Sequence, residues 1–187
     1  MPTVPCETIV RACQISRTLR FDNGQLVSTD KLFMSVENLT PFTGIFDVTI
    51  DDATHAQCVT EEAFGSKIEF IHEPSLAYTI AKTTMGYTSG NLHIDPPDYI
   101  DRWRTIIGEC REPMTASRGA MMWDTEGVMK LMRASPSGTV VFEEFIAARG
   151  RPLLVRDVNT NDWVGCFMGY VKDGLHHPAA TLPEWLR

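Results

Sequence analysis

The sequence has no apolar run long enough to cross a bilayer, because charged residues interrupt each one well before the roughly 18 residues a spanning helix needs. It has no excess of positive charge either. Seventeen Lys and Arg face twenty-four Asp and Glu, a net charge of −7, which argues against binding carried by contacts to a phosphate backbone. Low-complexity tracts are missing, and 43% hydrophobic against 22% charged residues is an ordinary globular balance, so a disordered chain is excluded. The five cysteines, at positions 6, 13, 58, 110 and 166, form no C-x-x-C pair. A scattered, odd set points to neither a zinc site nor a disulfide framework. Residues Met1 to Cys6 lack the basic and apolar segments of a secretory leader, so the expected setting is reducing and cytoplasmic. No phosphate-binding Gly-x-x-x-x-Gly-Lys loop occurs, and Gly86-Tyr-Thr-Ser89-Gly90 misses nucleophile-elbow spacing by one residue. No repeat of fixed period, composition shift or linker divides the chain. One domain over residues 1–187 is the expectation, with no cofactor and no metal.

What is present alternates between two patterns. Apolar runs at Ile9–Ile15, Leu19–Phe21, Gln25–Val27, Lys31–Val36 and Ile45–Ile50 read as strands. Asp22-Asn23-Gly24 between two of them is the strongest short hairpin signal, since both turn residues tolerate positive φ. Asp51 or Asp52 can cap a short helix ending at Gly65, and Lys67–His72 with Leu76–Thr83 suggest another antiparallel pair. The middle is helical. Asp95 before Pro96 reads as a helix N-cap, and Tyr99, Trp103, Ile106, Ile107 and Cys110 then form one apolar stripe. A second helix from Asp124 is expected to bury Val128, Leu131 and Met132. Strands resume over 139–148, 152–158 and 163–171. These elements predict an α+β fold: a mainly antiparallel curved sheet, or partly open β-barrel, with two to three helices inserted between N-terminal and C-terminal strand groups.

Charge is unevenly spread. From Asp47 to Glu73 seven acids meet one base, a local charge of −6, read as a solvated face or as a docking face for a basic partner. Met121-Met122-Trp123 is unusually apolar for a connection and is a second candidate surface. Together these favour a soluble binding or assembly protein that acts through protein contacts and self-associates, with no nucleic-acid and no membrane partner.

The alternative is a small-molecule enzyme. Glu143 and Glu144 interrupt a strand that is apolar on both faces, so one faces inward, where burial would raise its pKa and suit it to acid or base work. His93 would be its partner, with Tyr87 and Ser89 on the rim of an uncharged loop. Trp163, Gly165 and Phe167 alternate on one strand face, leaving gaps that suit a small apolar ligand or a closely packed helix. Arg149 and Arg151 flank a turn that could meet an anion. The narrowest reading is a non-haem metal face from His93, Asp95 and His176 or His177, against which Asp95 has a competing role as helix cap.

Overall fold

The computed structural model of the chain describes residues 1–110, 125–142 and 152–168. Its first part is built twice. Strand β1 (Thr3–Pro5), helix α1 (Cys6–Ala12) and the meander β2 (Thr18–Asp22), β3 (Gln25–Thr29) and β4 (Phe33–Asn38) form one series. Strand β5 (Ile45–Thr49), helix α2 (Asp52–Glu62), β6 (Lys67–Glu73) and β7 (Tyr78–Thr83) repeat it. An extended segment then pairs through Thr88 with Lys82 and through His93 with Val48, in the place of a fourth strand. The first strand of each series is exchanged: β1 pairs with β6 and β5 pairs with β2, both antiparallel, while α1 lies against α2.

After a single 3-10 turn at Ile100–Arg102, the chain forms α3 (Trp103–Cys110), α4 (Thr125–Ala134), β8 (Val140–Phe142), β9 (Pro152–Asp157) and β10 (Trp163–Met168). Helix α4 followed by the meander β8-β9-β10 repeats the order of α1 followed by β2-β3-β4. The two meanders meet at their last strands, β4 with β10, in register from Trp163 opposite Glu37 to Phe167 opposite Phe33. One curved, open, seven-stranded antiparallel sheet results, in the order β5-β2-β3-β4-β10-β9-β8, beside a three-stranded sheet β1-β6-β7.

Local chemistry accounts for the elements. Asn23 and Gly24 take φ of 46° and 88°, the pair of left-handed residues required by the tight turn joining β2 and β3. The Asp51 carboxylate accepts from the Thr54 N–H at 2.7 Å and caps α2, and Gly65, at φ 65°, follows the helix end. Packing accounts for the layers. The sheet around β4 and β10 is covered on both faces: Val27, Met34, Leu154 and Cys166 meet Ile100, Trp103 and Ile107 on one side, and Phe33, Val155, Trp163 and Phe167 meet Leu131 and Ala134 on the other. A third core, with Phe21, Phe46 and Phe70 at its centre, fills the space between the two sheets and the α1–α2 pair.

The expected α+β class, the curved antiparallel sheet and the helices between strand groups are present. Three local expectations are corrected. The Ile9–Ile15 run lies in and just after α1, with Ile9 and Ala12 buried three residues apart; an apolar run this short fits either period. Asp95 caps nothing: the chain becomes helical only at Ile100, although the Tyr99, Trp103, Ile106, Ile107 stripe does pack on the sheet. Of the three residues expected inside α4 only Leu131 is buried, together with Gly127 and Ala134; Val128 is half-buried and Met132 is 38% exposed.

Candidate binding pocket beside the β4–β10 joint

Two buried polar clusters fix α3 over the sheet. Arg20 of β2 donates to both carboxylate oxygens of Asp47 on β5, at 2.9 and 3.0 Å, and pairs with Asp101 of the 3-10 turn at 2.5 Å. Asp22, also on β2, accepts from the Trp103 indole N–H at 3.0 Å and from Arg104. Burial pushes the Asp22 carboxyl up, but its bonds to Arg104 and Trp103 outweigh burial and hold it below the usual carboxylate range. Asp47, expected on a solvated acidic face, is thus an interior anchor. Glu61 is buried as well, accepting from Gln57 and Thr83, so the acidic stretch is not one surface.

Where α3 and the turn before it leave the corner between β3 and β4 uncovered, a cavity of about 260 Å³ opens. Met34, Cys166 and Ile106 line it from the α3 side of the sheet, Phe33 borders it, and its rim is Leu32, Lys31, Tyr99 and Arg102. The corner is held by its own side chains. Asp30 accepts from the backbone N–H of Leu32 and Phe33 at 3.1 and 2.8 Å. Thr29 accepts from the Lys31 N–H at 3.2 Å and donates to the Phe33 carbonyl at 2.9 Å. Lys31, in the left-handed region at φ 81°, carries its ammonium 5.1 Å above the Tyr99 ring. Lys130 of α4 reaches Asp30 at 3.3 Å. A mostly apolar hollow, with two cations and no anion among the described residues that line it and a corner ordered in advance, suits an apolar chain segment that carries an acidic group.

The residues singled out in the sequence lie elsewhere. His93 stacks on His72 at 5.8 Å, and His72 in turn stacks on Phe46 at 4.7 Å, across the seam between the two sheets. The His93 Nδ1 is buried without a hydrogen-bond partner among the described residues. The Tyr87 hydroxyl lies 3.1 Å from the Thr54 hydroxyl of α2. Ser89 is buried, accepting from the Ala81 N–H at 2.7 Å and donating to the Gly90 carbonyl at 2.8 Å. Both therefore fasten the segment after β7 to its neighbours. Trp163 and Phe167 lie in the core under α4, and a Cβ at Gly165 would come within 2.7 Å of Trp163 and 2.9 Å of Leu131, so the gap on this strand is filled by helix packing. Glu143, Glu144, Arg149 and Arg151 lie outside the described residues, as do Met121-Met122-Trp123, His176 and His177. Among the described residues no group of three or more His, Cys, Asp and Glu is placed to hold a metal ion.

No family model matches the sequence, and no curated protein matches it. Solved structures do. The β subunit of DNA polymerase III from Pseudomonas aeruginosa superposes with a TM-score of 0.52 at 11% identity, over 90% of this chain and 65% of that one. The DNA polymerase sliding clamp from Bacillus subtilis gives 0.51 at 10%, over 91% and 64%. The DNA polymerase III β chain from Streptococcus pneumoniae gives 0.51 at 12%, over 90% and 65%. The fold is sliding-clamp-like. The chain spans a little under two thirds of the length of each of these clamp subunits.

Within this clamp-like fold the pocket was the feature that sequence reasoning missed. Tyr99 and Ile106 were visible as a helix stripe, and Phe33 and Met34 as a strand. What unites them is the β4–β10 pairing across 130 residues or so of chain, and no local pattern announces a pairing of that range. Thr29-Asp30 before Lys31 was a readable turn signal, since Thr and Asp side chains commonly bond the backbone two or three residues on.

Proposed function

We propose that this chain is a clamp-type assembly protein: it associates with further copies of itself edge to edge and docks partner proteins through the pocket at the β4–β10 joint. The observation that carries the reading is the joint itself. Two similarly built meanders meet at their last strands in regular antiparallel register, so an edge of this design is able to pair with an edge of its own kind. Among the described residues β8 pairs only with β9 and β1 only with β6, which leaves paths for the same pairing between molecules. Head-to-tail contacts of this sort close into a ring when their rotation allows.

The likeness to DNA polymerase clamps supports the same direction and brings nucleic acid back as a partner, against the expectation drawn from the net charge. A charge of −7 speaks against affinity carried by phosphate contacts. A clamp that encloses its track needs topology rather than affinity, and enclosure places no demand on net charge.

The test joins assembly to topology. Light scattering across a hundredfold range of concentration should show a discrete oligomer, and that oligomer should stay on a closed circular DNA through gel filtration in high salt and leave once the circle is cut. A strict monomer throughout would sink the assembly reading. Retention that survives linearisation and is lost in salt would instead mean contact binding. For the pocket, a fluorescein-labelled Leu-Glu-Phe-Leu-Leu peptide should bind and be lost in Leu32→Glu.

A further inference from the structure

The pocket has a candidate occupant within the same chain. Strand β10 runs antiparallel to β4 with Phe167 opposite Phe33, so Met168, the last described residue, ends beside Leu32 on the rim. The described chain thus ends at the mouth of the cavity, with nineteen residues of sequence still to follow. Their composition fits it: Leu182, Trp185 and Leu186 stand at i, i+3 and i+4, with Glu184 between them. In a helical turn this spacing would put the three apolar groups on one side, matched to the apolar lining of Met34, Ile106 and Cys166, with the Glu184 carboxylate matched to Lys31 and Arg102. From Met168 to Leu182 the chain reaches about 45 Å when extended, ample to return to its own starting point. Covalent attachment favours this over any free segment, because a short tether holds its end at an effective concentration of order millimolar.

We propose that the Leu182–Leu186 segment docks in the pocket of its own chain and competes there with partner segments. This rests on the reading of the pocket as a peptide-docking site and adds the regulator: a partner must displace the tail.

The full chain, labelled with 5-fluorotryptophan, gives one ¹⁹F signal for each of its four tryptophans, and Trp185→Phe assigns the one that matters. The Trp185 signal should lie away from the position of a solvated indole, hold that position on hundredfold dilution, and move to the solvated position in Leu32→Glu. A Trp185 signal already at the solvated position overturns the proposal, as does a displaced one that ignores Leu32→Glu. A displaced signal that returns on dilution would place the tail of a second copy in the pocket and also overturns docking within the chain. A second arm separates this idea from the one beneath it. If the tail holds the pocket nine-tenths of the time, Trp185→Ser should tighten binding of the labelled Leu-Glu-Phe-Leu-Leu peptide about tenfold. Equal binding to both chains leaves the pocket reading standing and removes the tail. Binding to neither removes the pocket reading, and the Trp185 signal then decides the tail alone.

Discussion

Gly127 and Asp47 show how single positions hold the layers in place. Gly127 of α4 faces Phe33 of β4 so closely that a Cβ would overlap the ring. Only glycine lets the helix lie on the strand there, and Phe33 is also a wall of the pocket. Gly127→Ala should cost about 1–3 kcal/mol through overpacking, read as a lower urea midpoint. Asp47 works from the other side of the sheet. Its bidentate pair with Arg20 is almost wholly buried, with side chains 5% and 7% exposed. Asp47→Asn would strip an interior guanidinium of its main partner, a change that costs about 3–5 kcal/mol in comparable buried pairs; Asp101 still pairs with Arg20, which places the expected loss at the lower end.

At the scale of elements, the seam between the sheets carries a pH signature. His72 of β6 sits between Phe46 of β5 and His93 of the segment beyond β7. Burial, then the neighbouring His93, lowers its pKa, opposed by Glu73 and Asp47. Because the folded chain holds this proton less tightly than the unfolded chain does, the His72 contribution is complete above about pH 6.5 and is lost as pH falls from there through the folded value. Urea midpoints should therefore drop between pH 7.5 and pH 5, and His72→Phe, which keeps the stacked ring, should flatten that drop. An unchanged slope would show that other groups carry it. Elements were also the scale at which the sequence was most legible. Asn23-Gly24, Asp51 before α2, and the Trp103–Ile107 part of the apolar stripe carry local signals, and each lies in the element or turn expected of it, whereas Tyr99 precedes the helix it was expected to join. The Ile9–Ile15 run was misread because so short an apolar stretch satisfies both the helical and the strand period. Trp163 and Phe167 were rightly placed on one strand face, but whether a helix or a ligand filled the gap at Gly165 depended on α4, a neighbour that strand periodicity does not reveal.

For the whole molecule the decisive features are the sheet edges. Val141 of β8 is 50% exposed on the strand that is, among the described residues, the last of the seven-stranded sheet. A charge on an edge strand is a standard obstacle to pairing between chains, so if β8 is the self-association edge, Val141→Lys should shift the molecule to monomer in light scattering while its unfolding midpoint stays within about 0.5 kcal/mol of the parent. Association that persists unchanged would move the interface to the β1 edge. None of this was readable beforehand. Net charge and the lack of motifs described a class of protein, while the joint between β4 and β10 depends on residues far apart in sequence, and the two series of strands share a plan without sharing a pattern of residues.

The exchange of first strands, β1 into the sheet of β6 and β5 into the sheet of β2, has a kinetic side. Neither series is able to complete its own sheet, so the complete fold must bring Thr3–Pro5 to Lys67–Glu69 across more than sixty residues of chain. Native contacts of that range close slowly. A chain emerging from synthesis would therefore hold β2, β3 and β4 as an unfinished meander until β5 arrives, and β1 would wait longer still. Two fragments divided in the Asn38–Ile45 connection should each stay largely unfolded alone and recover the fold only when mixed, with a rate that rises with their concentration.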